Sequence, residues 1–166
     1  TGAFTALACM KFLSDNDIRF ENTQVTALLT GSKNAGSIGA KEFFKNCNKQ
    51  SEVKDTLFLE FDTIKDIEQL AIYGTNESAS KLMENAAREA GIEKISHRSL
   101  RSLPFDSKVA AKEGIAAATL TAVDLSSCKH YYTKEDTAEN LEPKAIEKGV
   151  FIALSAIFQF DEHGLR

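Results

Sequence analysis

The sequence predicts an α/β domain with a mixed, mostly parallel central sheet, on three observations. A strand-like run, a Gly-flanked turn and a helix-like run succeed one another between Asn22 and Phe44, within one βα unit. Two apolar runs, Thr56 to Phe61 and Gln69 to Tyr73, lie too close together for a helical crossover and are expected to run antiparallel, which makes the sheet mixed. Helical periods between and after the strands supply the covering layers.

In order, Ala3 to Leu13 reads as a helix, with Phe4, Leu7, Ala8, Lys11 and Phe12 at helical spacing and Ser14, Asp15 and Asn16 closing it. Gln24 to Leu29 is β-branched and apolar enough for a buried strand, and Thr30 to Gly36 supplies the turn after it. A helix from Gly36 or Ser37 to Asn46 is expected to face the sheet with Ile38, Phe43 and Phe44. Asn48 to Lys54 is a polar loop. After the two close strands, Ser78 to Ala90 repeats apolar residues at i, i+3, i+4 and i+7, and Gly91 stands where a helix-terminating glycine belongs. Ile95 to Leu100 reads as a short strand, Ser107 to Lys112 as a short helix stopped by Gly114, and Ile115 to Val123 as a buried strand. Asp124 to Glu142 is a long polar loop, and loops of such length are often functional. Pro143 suits a first helical turn, and Ile146, Val150, Ala153, Leu154 and Ile157 line the inner face of a final helix.

Length and composition narrow the function classes. One domain is expected from 166 residues, with 43% apolar and 27% charged content. The formal charge of -4 is dispersed without a basic stripe, which argues against nucleic acid as a partner. Cys9, Cys47 and Cys128 have neither a zinc-finger spacing nor the even count of a disulfide framework. No apolar run approaches the roughly 20 residues of a membrane span. No targeting segment is visible, so the compartment is not readable. The end of a central strand is where open α/β sheets place their ligands, so the turn from Thr30 to Gly36 is expected to border a site.

Several segments together resemble a known family. Thr30 to Lys41, TGSKNAGSIGAK, is similar to the T-G-S-E-E-A-G-x-x-G-A-K segment of the di-zinc aminopeptidases, of the aminopeptidase S, aminopeptidase Y and transferrin-receptor ectodomain type. Leu59 to Ile64 resembles the family's metal-binding strand end, and Tyr131 to Leu141 its Y-H-T-P-E-D-T-x-E-N-L loop. Asp106, eight residues before Gly114-Ile115, resembles the family's Asp before G-I-P-A. The resemblance implies a three-layer αβα sandwich of zinc-exopeptidase type over 1–166, lacking the family's N-terminal strands. It also implies a sheet edge that another segment or a second copy covers.

The resemblance further implies which residues stand where the family's chemistry lies. Its general base, the first Glu of the E-E pair, is matched by Lys33, and its zinc-binding second Glu by Asn34; its loop His is matched by Tyr132. An ammonium does not accept a proton at neutral pH and repels a dication, a neutral amide is a poor zinc ligand, and a phenol is protonated at neutral pH. Asp62 is the surviving ligand position, and Lys33, Asn34, Asp62, Asp106, Tyr131 and Tyr132 are the expected pocket. No catalytic residue is intact, and no cofactor is expected. The resemblance therefore implies a non-catalytic binding or structural homologue, a state the family's receptor members share, with an unknown peptide or protein as partner. The alternative is a working zinc aminopeptidase that removes N-terminal residues from peptides, its site completed upstream of Thr1 and by residues such as His130 or Glu135.

Plainer readings stand beside these. Lys33 and Asn34 suit a solvated turn, Asp62 a loop cap, and Tyr132 a packing role. His97, His130 and His163 have no partner at ligand spacing. Thr1 followed by Gly2 admits an N-terminal nucleophile, but such enzymes begin a strand there, and a helix-forming run follows. If Asp62 points into the old metal pocket, Lys33 is placed to neutralise it.

Overall fold

The computed structural model describes residues 1–49, 55–98, 103–123, 134 and 137–165. In chain order the elements are α1 (Gly2–Asp15), α2 (Ile38–Lys49), β1 (Leu57–Asp62), β2 (Ala71–Gly74), α3 (Glu77–Glu89), β3 (Ser96–His97), α4 (Asp106–Lys112), β4 (Ala116–Thr121) and α5 (Pro143–His163). A short 3₁₀ turn at Ala138–Asn140 precedes α5.

The four strands form one sheet in the order β1-β4-β2-β3. β1 runs parallel to β4, and β2 parallel to β3, while β2 and β4 are antiparallel, so the sheet is mixed and mostly parallel as expected. The two close strands do run in opposite directions, but they do not pair with each other: β4 lies between them. The reason is in its side chains. Ala117, Ala118, Thr119 and Leu120 are all fully buried, and a strand apolar on both faces belongs at the centre of a sheet.

Helices cover both faces. Leu57, Leu59 and Phe61 of β1, with Ala118 and Leu120 of β4, meet α3 and α5 around Ile64, Met83 and Ile152. Phe58 and Ala117 project the other way, onto Ala40 and Phe44 of α2 and Ala110 of α4. This is the alternation that a strand imposes on successive side chains. α3 is the helix most fully specified by its own sequence: the Asn76 side chain accepts a hydrogen bond from the Ala79 N–H at 2.8 Å, and Gly91 ends it at φ +80°.

Five expectations are corrected. Residues 24–29 form no strand among the described residues, and Thr26 and Leu29 are exposed. Their β-branched character needs a partner edge, and a cavity separates them from the nearest, β1. Among the described side chains of α2, Phe44 and Ala40 turn fully inward; Ile38 is 55% exposed and Phe43 38%. α5 buries Ala145, Gly149, Ile152, Ala153, Ser155 and Ala156, a face rotated from the one expected. Small side chains there allow close approach, since a Cβ on Gly149 would stand 3.1 Å from Ile64 Cγ2. In α1 the buried positions are Thr5, Cys9 and Leu13, whereas Phe4 and Leu7 face outward. Of the expected strand Ile95 to Leu100, only Ser96–His97 is paired, and 99–100 lie outside the described residues, as do 124–133, 135 and 136 of the long loop.

Candidate functional site

The turn before α2 is wound by its own backbone. The Ser32 carbonyl accepts from the N–H groups of Ala35 and Ile38, and the Lys33 carbonyl from those of Gly36 and Ser37. Ser32 and Ser37 take positive φ values of 56° and 55°, and Gly36 one of 92°, so the chain reverses sharply and aims Lys33 inward while Asn34 stays exposed. The Gly39 N–H closes the turn on the Gly31 carbonyl at 3.2 Å. A Cβ on Gly39 would come within 2.9 Å of the Gly31 backbone N and O. Helix propensity alone makes Gly39→Ala stabilising by about 1 kcal/mol, but backbone atoms cannot yield as a side chain can. The expected net result in urea denaturation is a loss of about 1 kcal/mol, with Lys33 displaced.

Lys33 enters the sheet at the C-terminal half of β1. Its Nζ donates to Glu60 Oε1 at 2.6 Å and lies 3.1 Å from Asp62 Oδ2; the lysine side chain is 25% exposed and the carboxylates 7% and 17%. The approach to Asp62 is too oblique for a hydrogen bond, so Oδ2 has an ion pair but no hydrogen-bond donor among the described residues. Burial by itself pulls the lysine pKa down; the charges of Glu60 and then Asp62, with the hydrogen bond to Glu60, outweigh it and leave the pKa raised above its ordinary value. Lys33 is therefore an ammonium at neutral pH. Its Nζ also stands 5.7 Å from the centre of the Phe105 ring.

Glu60 is the most connected member of the cluster. Besides Lys33, it accepts from the Ser107 N–H at 2.9 Å and the Thr119 hydroxyl at 2.8 Å, both on Oε2. Because the Thr119 proton is committed to Glu60, the 2.6 Å contact between Thr119 Oγ1 and Ser107 Oγ has Ser107 as donor. A proton-ordered chain thus runs from Ser107 through Thr119 to Glu60 and ties α4, β4 and β1 together. Asp106 joins from the first turn of α4, where Oδ2 accepts from the Thr30 hydroxyl at 2.6 Å and Oδ1 is buried without a donor among the described residues. Thr63, just after Asp62, is held at φ +51°, a strained value for a β-branched residue, and its hydroxyl donates to Asp62 Oδ1 at 3.1 Å.

Of the residues expected to share a pocket, Lys33, Asp62 and Asp106 line one cavity of about 1050 Å³; Asn34 is not among its lining residues. Tyr131 and Tyr132 lie outside the described residues, as do His130 and Glu135. His97 and His163 sit away from the cluster, 3.5 Å from Glu84 and 3.6 Å from Glu162. Thr1 caps a helix, not a strand, and its hydroxyl oxygen accepts from the Ile64 N–H at 2.7 Å. Glu60 is the residue that sequence reasoning missed as a partner of Lys33. Its signal was there: it is the one ionisable side chain within the run Leu57 to Phe61. A charge buried in an apolar strand needs a counter-charge.

Residues 1–157 match the family model of peptidase family M28. The fold is similar to an aminopeptidase from Aneurinibacillus sp. strain AM-1, with a TM-score of 0.77 at 20% identity over 93% of this chain and 37% of that one. It is similar also to BSAP, a zinc aminopeptidase from Bacillus subtilis, with a TM-score of 0.64 at 15% identity over 78% of this chain and 34% of that one. The chain therefore spans little more than a third of either aminopeptidase. No curated protein matches the sequence.

Proposed function

The chain belongs to peptidase family M28, and from that premise we propose that it is a non-catalytic member, a single peptidase-like domain that binds a peptide or protein without hydrolysing it. One observation carries the reading: the Lys33 ammonium lies 2.6 Å from Glu60 Oε1 and 3.1 Å from Asp62 Oδ2, on the ground between two carboxylates that a bound dication would need. A cation already sits there, covalently attached. With its pKa raised, Lys33 has no lone pair to take a proton from water, so it does not serve as a general base at neutral pH. Among the described residues no three His, Cys, Asp or Glu side chains converge as metal donors. As assembled, these residues do not fit zinc, and no hydrolytic step is derived through it.

The test is zinc content and hydrolysis on the purified full-length polypeptide, by elemental analysis and with aminoacyl p-nitroanilides. The expected result is no stoichiometric zinc and no chelator-sensitive cleavage. Stoichiometric zinc together with cleavage abolished by a chelator would overturn the proposal and establish a working aminopeptidase instead.

A further inference from the structure

We propose that the outward face of α1 and α5 is a contact between two copies of this chain, an isologous dimer formed helix layer to helix layer. The proposal is independent of whether the site is catalytic, and this face is separate from the edge of β1.

A surface helix turns its polar residues to water, and the first half of α1 does the reverse. Among residues 3–10 the one hydroxyl-bearing or charged side chain is Thr5, which is fully buried and donates to the Thr1 carbonyl at 3.3 Å. Cys9 and Leu13 are buried with it, and Ala6 and Met10 line the cavity beside β1. The remaining direction is outward, and Phe4 and Leu7, each more than half exposed, point along it. α5 repeats the arrangement. Phe151, Leu154 and Phe158, spaced i, i+3 and i+7, form one stripe opposite the buried Gly149, Ala153 and Ala156.

The two faces are one surface. Both helices start beside residues 64 and 65, where the Thr1 hydroxyl oxygen accepts from the Ile64 N–H and the Glu142 N–H donates to the Lys65 carbonyl. They run on side by side, with Cys9 Sγ 3.7 Å from the Val150 carbonyl oxygen. Phe20, beyond the end of α1, meets the Phe158 ring edge to face at 5.2 Å. Phe12, which on its helix falls between outward Phe4 and inward Cys9, is exposed as well, so the apolar surface continues from one helix to the other.

Size decides that such a face is sufficient. At about 200 Å² for a whole phenylalanine and somewhat less for leucine, Phe4, Leu7, Phe12, Phe151 and Phe158 leave on the order of 500 Å² of apolar surface in water. That is toward the upper end of what a monomer shows. Two such faces laid together remove about 1,000 Å², and since apolar atoms make up about 65% of a homodimer interface, the whole contact is about 1,500 Å². A stable interface buries about 1,200–2,000 Å².

Charge separates a second copy from other occupants. An anionic membrane or a nucleic acid needs a basic rim. The cations here are Lys11, held by Asp15 at 2.7 Å, and Lys144, three residues before Glu147 on the same side of α5, with Glu162 at its far end. The rim is of mixed sign although the chain carries -4, so two copies meet across it with little like-charge repulsion. A two-fold contact also requires one patch to supply both knobs and hollows. Along the row Phe4, Ala8, Phe12 the alanine leaves a hollow, and Phe151 of the second copy supplies a knob.

The experiment is sedimentation velocity on the full-length polypeptide and on variants at exposed positions, with folding checked by circular dichroism. The parent protein is expected to be dimeric at about 50 µM, and Phe4→Glu and Phe151→Glu each to weaken dimerisation at least about tenfold. Phe4→Ala with Phe151→Ala, which removes aromatic area without adding charge, is expected to move the equilibrium the same way. Ile38→Glu, at a comparably exposed apolar residue of α2, is expected to leave it unchanged. A monomer at this concentration, a dimer indifferent to the phenylalanine substitutions, equal weakening by Ile38→Glu, or an open assembly that grows with concentration would each overturn the proposal.

Discussion

Lys33→Met is expected to destabilise the domain by about 3 kcal/mol, the usual penalty for leaving a buried ion-pair partner uncompensated. The methionine keeps most of the apolar stem and removes the charge together with its hydrogen bond to Glu60, so the loss reports on Glu60 and Asp62, whose carboxylates are 7% and 17% exposed. Glu60→Gln is the informative second change. Its amide oxygen still accepts from the Ser107 N–H and the Thr119 hydroxyl, while the charge that needed Lys33 is gone. The double variant Lys33→Met with Glu60→Gln is therefore expected to recover part of the loss, and Asp62→Ala in the Lys33→Met background a smaller part. Additive losses in these cycles, read from urea denaturation at constant m, would show the charges uncoupled and overturn the account. The pH dependence has a definite sign. Because the folded-state pKa of Lys33 is raised, its contribution is complete below the ordinary lysine value of 10.5 and is lost as pH rises through the folded-state value. An alkaline loss of stability present in the parent protein is expected to shrink in Lys33→Met.

Phe44→Ala is expected to cost about 3–5 kcal/mol, in the range for large aromatic side chains deleted from a core. Phe44 is 1% exposed, and its ring meets that of Phe58 edge to face with centroids 4.9 Å apart. It is the main anchor of α2 to the sheet, alongside Ala40 and Ala110. The neighbouring Phe43→Ala gives the control, because that side chain is 38% exposed and the expected loss is about 1 kcal/mol. Equal losses for the two would contradict the packing described for α2. Since α2 carries the turn that holds Lys33, Phe44→Ala is also expected to loosen the Lys33–Glu60 contact, visible as reduced coupling in the cycle above.

Local signals determined much of the fold. The cap at Asn76, the helical period through Ala90 and the glycine at 91 specify α3 without help from the rest of the chain, and the apolar run at 115–123 specifies a buried strand. The segment from Thr30 to Lys41 carried the family resemblance, and it is the resemblance that implies a site at Lys33. Which strand neighbours which was not legible, because pairing depends on contacts between residues distant in sequence; β4 enters between two strands that precede it. The orientation of α5 was missed for a related reason, since glycine and alanine reveal an inner face only when a partner helix or side chain is close enough to need them. The sequence by itself set the residue types of the site, a lysine where a carboxylate is expected and acids at 60 and 62. Only the tertiary structure decided that the lysine reaches Glu60 first and Asp62 second, because the distance between a turn and a strand is fixed by how both pack against the helices around them.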